Sequence, residues 1–341
     1  MNKQKIFIIA EIGVNHNGKI SEALRLIDEA KKCGADAVKF QTYITEELVS
    51  YDAPKAEHHK KNMNKKLSHY NILKRLELSF DKFQKLKNYT IKKKLKFIST
   101  PYDIKSLKFL IKLKVDYIKF ASSELVNYPM LDIARKSKIP IIISTGMSTF
   151  NEVKDSINFI LEKNKKLIVL KCTSNYPAKI DSVNLNGLNS LKKIFKDDIK
   201  YGFSDHTLGS IASITSLKYG VSFIEKHFTL NKNAVGPDHK ASMNPIEFKN
   251  FINDIKDSLK AEGKKNWSLN EDEKKQKKAM RKGCYARTNL KKGQLIKQND
   301  VIFLRPPNSL SPKIFYLHCV NKKIKKNLVE GESLKRKYFN I

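Results

Sequence analysis

Tyr117-Ile118-Lys119-Phe120 leads, through a polar turn and a helical pattern over Met130–Ser137, to Ile141-Ile142-Ile143. Short apolar runs without polar alternation are the mark of strands buried on both faces, and a helix between two of them makes a parallel βαβ unit. The unit repeats in both directions. Strand-like runs stand at Phe7–Ala10, Ala37–Phe40, Phe97–Ser99, Tyr117–Phe120, Ile141–Ile143, Ile168–Leu170, Lys200–Phe203 and Ser222–Ile224. Helical patterns alternate with them. Ile20, Ala23, Leu24, Ile27 and Ala30 recur every three to four residues, and further patterns cover Phe80–Lys94, Asp103–Leu113, Phe150–Lys163, Leu185–Phe195, Ser210–Tyr219 and Pro245–Leu259. This repetition predicts an α/β fold, a closed (β/α)8 TIM barrel over residues 1–262. A doubly wound open sheet is the alternative, but no GxGxxG follows the first strand.

Two stretches break the rhythm. Thr42–Ser79 is a long connection after the second strand, on the barrel face where substrate lids occur; Lys60, Lys61, Lys65 and Lys66 also fit a solvated insertion. Residues 263–282 are polar and charge-rich and read as a linker. Residues 283–341 then carry their own apolar pattern, enough for a small satellite domain.

The 341-residue chain is 40% hydrophobic, which suffices for a sizeable core. No apolar run is long enough for a membrane span or a signal peptide, so a soluble, cytoplasmic protein is expected. Cys33, Cys172, Cys284 and Cys319 are scattered, with no CxxC spacing, and read as reduced packing or surface residues. The net charge of +33 raises the reading of a non-catalytic polyanion binder. Nearly all of it is lysine spread along the helices, whereas specific nucleic-acid readers lean on arginine forks, so no specific nucleic acid is expected.

In such a barrel the residues at the C-terminal strand ends converge on one pocket. Here they are Glu11, Asn15 and His16; Lys39 and Gln41; Thr100; Lys119, Ser122 and Glu124; Ser144, Thr145 and Gly146; Lys171, Thr173, Ser174, Asn175 and Tyr176; Ser204, Asp205 and His206; Glu225 and His227. Lys39, Lys119, Ser122 and Ser144 have the donors for a phosphate and a carboxylate. His206 and His227, on neighbouring strands, suit a divalent transition metal. Glu11, Glu124, Glu225 and Asp205 suit sugar hydroxyls, proton relay or water activation. Singly, each lysine reads as a solvated charge and each histidine as a core residue; the convergence of polar groups from so many strands is what points to a site.

Seven segments are similar to the sialic acid synthase family, N-acetylneuraminate synthase and its close relatives such as legionaminate synthase. They are Ala10–Gly18, Val38–Thr42, Ser99–Tyr102, Ser144–Met147, Phe203–Thr207, Glu225–Thr229 and Gly236–Ser242, in the family's order. Ala286–Pro306 resembles the family's C-terminal antifreeze-like (SAF) domain, small and mostly β. The resemblance implies a metal-dependent condensation of phosphoenolpyruvate with N-acetylmannosamine, water addition at C2 and release of phosphate by C–O cleavage. It implies that phosphoenolpyruvate is held by Lys39, Thr100, Lys119, Ser122, Ser144, Ser174 and Ser204. His206 and His227 would hold manganese, with magnesium or cobalt as substitutes. Glu11, Gln41, Tyr176, Asp238 and Arg305 would contact the sugar, and Glu11, Glu124 and Glu225 would be catalytic. A domain-swapped homodimer is implied, with Arg305 in the partner's active site.

Two departures stand out. Ser174 occupies a position where some members carry asparagine, and Pro307 follows Arg305-Pro306 where glycine is commoner. A legionaminic or pseudaminic acid synthase, acting on a 2,4-diacetamido-trideoxyhexose, is the alternative within the family.

Overall fold

The computed structural model describes residues 5–55, 67–263 and 266–341. Lys60, Lys61, Lys65 and Lys66, read above as part of a solvated insertion, lie outside the described residues. The chain divides into two compact units, Met1–Glu262 and Gly263–Ile341.

The first unit is a closed parallel barrel of eight strands in sequence order. They are β1 (Phe7–Gly13), β2 (Ala37–Thr42), β3 (Lys96–Pro101), β4 (Tyr117–Phe120), β5 (Ile141–Ser144), β6 (Leu167–Cys172), β7 (Lys200–Asp205) and β8 (Phe223–His227). Pairing of β1 with β8, from Phe7↔Phe223 to Glu11↔His227, closes the ring. The helices α1 (Ile20–Cys33), α4 (Phe80–Lys92), α5 (Ile104–Leu113), α6 (Tyr128–Lys136), α7 (Phe150–Leu161), α8 (Gly187–Phe195), α9 (Ile211–Leu217) and α10 (Pro245–Ala261) alternate with the strands. Local chemistry stands behind several of the starts and stops. Gly34 takes φ 98° and its N–H reaches Ala30 and Lys31 oxygens, ending α1. Asn244 and Glu247 form a reciprocal capping box at the start of α10.

Strand alternation divides the side chains into two cores. Ile9, Ala37, Ile98, Ile142, Ile168, Leu170 and Phe223 form one cluster within the barrel. Their neighbours of opposite parity, such as Ala10, Val38, Phe97, Ile118, Ile141, Ile143, Val169, Phe203 and Ile224, join the larger core beneath the helices. Seven of the strands run on past the apolar runs that announced them: β1, β2, β3, β5, β6, β7 and β8 continue into Glu11, Gln41, Thr100, Ser144, Lys171, Asp205 and His227. These extensions are in-register β structure whose polar residues hide them from a reading based on hydrophobicity.

The long connection after β2 contains α2 (Thr45–Leu48) and α3 (His69–Leu76). It has a small apolar cluster of its own, with Val14, Tyr43, Ile72, Leu73 and Leu76 buried. Among the described residues, no helix is long and apolar enough to cross a membrane.

The second unit has a separate core built on Cys284, Leu290, Ile296, Val301, Phe315, Ile324, Leu328 and Leu334. Its sheet is the antiparallel pair β9 (Gly283–Ala286) and β10 (Val301–Leu304), with isolated bridges at Tyr285↔Ser333, Leu290↔Leu328 and Leu295↔Lys323. The stretch read as a linker contains a regular helix instead, α11 (Glu271–Met280). Asn270 and Glu273 form its capping box and acidic residues fill its first turn, favourable local terms that a composition-based reading overlooks. A shorter helix, α12 (Pro312–His318), follows β10.

Gly202 on β7 is closely surrounded within the barrel: a Cβ there would lie 2.4 Å from Leu170 Cδ2 and 2.6 Å from the Phe223 carbonyl oxygen. Gly202→Ala should lower the unfolding free energy by about 1–3 kcal/mol, read as a lower urea midpoint. An unchanged midpoint would show that the interior is looser than this packing.

Candidate active site

The parity that places Ile9, Ala37, Ile98, Tyr117, Ile142, Leu170 and Phe223 in the barrel also turns Glu11, Lys39, Thr100, Lys119, Ser144, Cys172 and Glu225 inward, two residues further along each strand. The apolar layer is the floor, and the polar layer opens into a cavity of about 840 Å³. Glu11, Lys39, Gln41, Lys119, Ser122, Glu124, Ser144, Ser174, Tyr176, Ser204, His206, Glu225, His227 and Asp238 all line it.

Four buried charges lie at its base. Lys39 Nζ is 2.9 Å from Glu11 Oε2 and 3.7 Å from Glu225 Oε1, and Lys119 Nζ is 3.8 Å from the same Glu225 oxygen. Lys39 also donates to Thr100 Oγ1 at 3.3 Å, and Ser204 Oγ donates to Glu225 Oε1 at 2.9 Å. Burial pushes the Glu11 carboxyl up to about 7, against the pull of Lys39. For Glu225 burial acts the same way, but Lys119 and Lys39 outweigh it and the carboxyl stays below its ordinary value. Burial lowers the Lys119 ammonium. Two carboxylates in one site thus differ: Glu225 is held ionised, while Glu11 exchanges its proton near neutral pH.

Beside the lysines, hydroxyls converge. Gly146 N donates to Ser122 Oγ at 3.0 Å, and a Cβ on Gly146 would collide with Ser174 Oγ and Ser122 Oγ, at 2.1 and 2.7 Å. Ser144 Oγ is buried without a hydrogen-bond partner among the described residues. Glu124, on a short 3-10 turn, accepts from Asn127 Nδ2 at 2.8 Å.

On the other side stand His206 and His227, with ring centroids 5.4 Å apart. The Tyr176 ring lies 4.2 Å from His206 and 5.5 Å from His227. His206 Nδ1 is 2.8 Å from the Thr173 carbonyl oxygen, which can only accept, so Nδ1 carries a proton. In the neutral imidazole Nε2 then keeps its lone pair, an arrangement common behind metal-bound histidines. Around Gly13 (φ 53°), a Cβ would lie 3.0 Å from Glu11 Oε1, 3.1 Å from Gln41 Nε2 and 3.5 Å from Asp238 Oδ2, so these three polar groups meet at one point.

Asn15, His16, Thr145, Gly146, Lys171 and Thr173, expected at the strand ends, do not line the cavity, and three further sequence-selected residues fall elsewhere. Thr100 is buried behind Lys39 and does not line the cavity. Arg305 is an exposed residue of the second unit, just after β10. Asp205, chosen as a strand-end carboxylate, has the wrong parity. It faces away from the cavity and forms a buried ion pair with Lys226 at 2.9 Å, while accepting from Thr207 N and Ser213 Oγ. Asp205 and Lys226 are register partners, each adjacent to one of the two histidines, so the pair ties the imidazole-bearing ends of β7 and β8 together.

Sequence reasoning also missed members of the wall. Cys172, read as a packing or surface residue, lines the cavity with Sγ 3.9 Å from His206 Nδ1. Burial raises its thiol, but His206 and Lys119 outweigh that and bring it down to about 6. Tyr43, Leu48, Val49, Leu73, Leu76 and Tyr102 line it as well. The inward parity of Cys172 was available from the sequence; the insertion's contribution was not.

Burial pushes the Asp238 carboxyl up from 3.8 to about 6. Between those values the folded chain holds a proton that the unfolded chain has released, so this group favours folding less as pH rises. Asp238→Asn should therefore raise stability at pH 8, by about 1–3 kcal/mol in urea unfolding, and the gain should shrink toward pH 4. Equal effects at both pH values would contradict this burial effect.

A family model described as the NeuB family matches residues 26–267. The N,N'-diacetyllegionaminic acid synthase of Legionella pneumophila is 38% identical over 333 residues, covering 96% of this chain and 93% of that one. A pseudaminic acid synthase of Campylobacter jejuni is 33% identical over 337 residues, covering 98% and 97%. The crystal structure of the N-acetylneuraminic acid synthetase of Leptospira borgpetersenii, in complex with citrate, superposes with a TM-score of 0.68 at 30% identity, covering 80% of this chain and 90% of that one. With the barrel and its polar cavity already in place, these likenesses identify the chain as a member of the NeuB family of sialic acid synthase-like proteins.

Proposed function

We propose that the chain is a nonulosonic acid synthase that condenses phosphoenolpyruvate with an N-acylated hexose. The observation that carries this reading is the division of one cavity: two buried lysines and several hydroxyls lie against an imidazole pair and the Glu11, Gln41 and Asp238 cluster. Two ammonium groups suit a ligand with both phosphate and carboxylate, and Ser122, Ser144, Ser174 and Ser204 supply further donors. Gln41, Asp238 and Tyr176 offer partners for sugar hydroxyl and amide groups.

In this reaction C3 of phosphoenolpyruvate bonds to the aldehyde carbon of the open-chain sugar. Water adds at C2, and phosphate leaves with its bridging oxygen. Glu11, which exchanges its proton near neutral pH, protonates the oxygen of the former aldehyde. Glu225, ionised between the lysines, keeps both ammonium groups aligned before the anion arrives. Glu124, at the cavity wall, serves the water-addition step.

His206 and His227 fit a divalent transition ion such as manganese. Their donors are imidazole nitrogens, the His206 tautomer is set by Thr173, and water or substrate would complete the shell, since no group of three or more His, Cys, Asp or Glu with metal-holding geometry occurs among the described residues. When bound, such an ion supplies Lewis-acid polarisation of the aldehyde. The SAF character of the second unit, the swapped homodimer and the role of Arg305 in the partner's site belong to the same proposal and rest on the resemblance alone. N-acetylmannosamine and a 2,4-diacetamido-trideoxyhexose both fit the polar groups, and the likeness to legionaminic and pseudaminic acid synthases favours the second.

Phosphate release measured with phosphoenolpyruvate, manganese and these two sugars tests the reading. Release should require a sugar, stop with chelator, return with manganese, and fall about 100-fold or more in His206→Ala. No release with either sugar, or full metal-free turnover by His206→Ala, would refute it.

A further inference from the structure

One part of the cavity wall is idle in this reaction. Leu48 at the end of α2, Val49 just after it, Leu73 and Leu76 on α3, and Val14 form an aliphatic face of the cavity, flanked by Tyr43, Tyr102 and, at the start of α3, His69. It is a packed surface: Val14, Tyr43, Leu73 and Leu76 are buried in one cluster, with Leu48, Val49 and Tyr102 half-buried against it. Its parts are fastened to one another, and Ile44 N donates to Asp103 Oδ2 after β3 at 2.9 Å. Tyr43 Oη, just beyond β2, donates to the Leu73 carbonyl oxygen at 3.0 Å, and Thr45 N and Oγ1 donate to Glu77 Oε2 at 2.9 and 2.5 Å.

The face adjoins the sugar end of the cavity. Val14 follows Gly13, around which Glu11, Gln41 and Asp238 meet. Tyr43 follows Gln41 by two residues along the same strand direction. Tyr102 lines the same cavity as Glu11, Gln41 and Asp238, and its ring packs against Tyr43 with centroids 6.5 Å apart.

An aliphatic face offers no hydrogen bond. A sugar hydroxyl set against it gives up water and gains no partner, whereas a methyl group gains burial and dispersion contacts. We propose that Leu48, Val49, Leu73 and Leu76 form a subsite for apolar substituents of the acceptor, the C6 methyl and the acyl methyl of a second acylamino group. The insertion after β2 thereby selects a 2,4-diacylamino-6-deoxyhexose over a hexose with free hydroxyls at C4 and C6. This assignment rests on the synthase reading and adds to it the residues that set acceptor choice.

The test compares kcat/KM for a 2,4-diacetamido-2,4,6-trideoxyhexose and N-acetylmannosamine, at saturating phosphoenolpyruvate, in the full chain, in Leu48→Ser and in the near-isosteric Val49→Thr. The wild type should prefer the deoxy sugar by about tenfold to a hundredfold. Each folded variant should reduce that ratio by roughly threefold or more, with the KM for phosphoenolpyruvate within about twofold of wild type. If Leu48→Ser fails to fold, Val49→Thr decides. A wild type with no preference, or with the opposite one, overturns the subsite, and so does an unchanged ratio in the folded variants. Turnover of both sugars with equal efficiency removes the subsite alone, whereas phosphate release with neither sugar removes the synthase reading and the subsite with it.

Discussion

Lys39, Lys119, Glu11 and Glu225 are four buried charges sharing one small volume at the open end of the barrel. Isolated ions in that position would be strongly destabilised; held as mutual counter-ions, with Thr100 and Ser204 adding hydrogen bonds to Lys39 and to Glu225 Oε1, they are tolerated, although Glu225 Oε2 has no hydrogen-bond partner among the described residues. Such a cluster is poor stabilising material, since an apolar core would serve a barrel at least as well. Its consequence is electrostatic preorganisation: the ammonium groups stand in place before an anion arrives, and low polarisability around them strengthens what they do to it.

The fold supplies the frame for this cluster through parity. On most strands the inward apolar residue of the floor is followed two positions later by an inward polar one, while on β6 Ile168 is followed by Leu170 before Cys172, so strand register brings these side chains to a common layer. The same rule explains the Asp205–Lys226 pair, which binds the outer faces of β7 and β8 where His206 and His227 begin the loops. A polar pocket within the barrel is thus braced by an ion pair outside it, and loss of either partner would leave a buried charge uncompensated next to the imidazoles.

Much of this was legible in the sequence because barrels repeat. The apolar runs located every strand, and the residues at or after their ends included Glu11, Lys39, Lys119, Glu225 and both histidines. Runs of hydrophobicity end where the site begins, however, so strand ends were drawn short and inward parity was not carried through. That is why Asp205 entered the site on paper and Cys172 did not. The helix Glu271–Met280 was hidden by its charged composition, although Asn270 and Glu273 carry the signature of its cap. The insertion after β2 resisted for a different reason: Leu48, Val49, Leu73 and Leu76 are ordinary apolar residues in and beside two short helices, and only the folded connection shows that they face the cavity.

Calorimetric titration of phosphoenolpyruvate into the wild-type chain and into Lys119→Met, each shown to be folded by its melting transition, tests the buried charge cluster most directly. The account predicts saturable one-to-one binding by the wild type and affinity about 30-fold lower or worse in Lys119→Met, a loss of roughly 2 kcal/mol or more. Absence of binding by the wild type, or equal affinity in the two chains, would contradict the claim that these lysines are held in place to receive that anion.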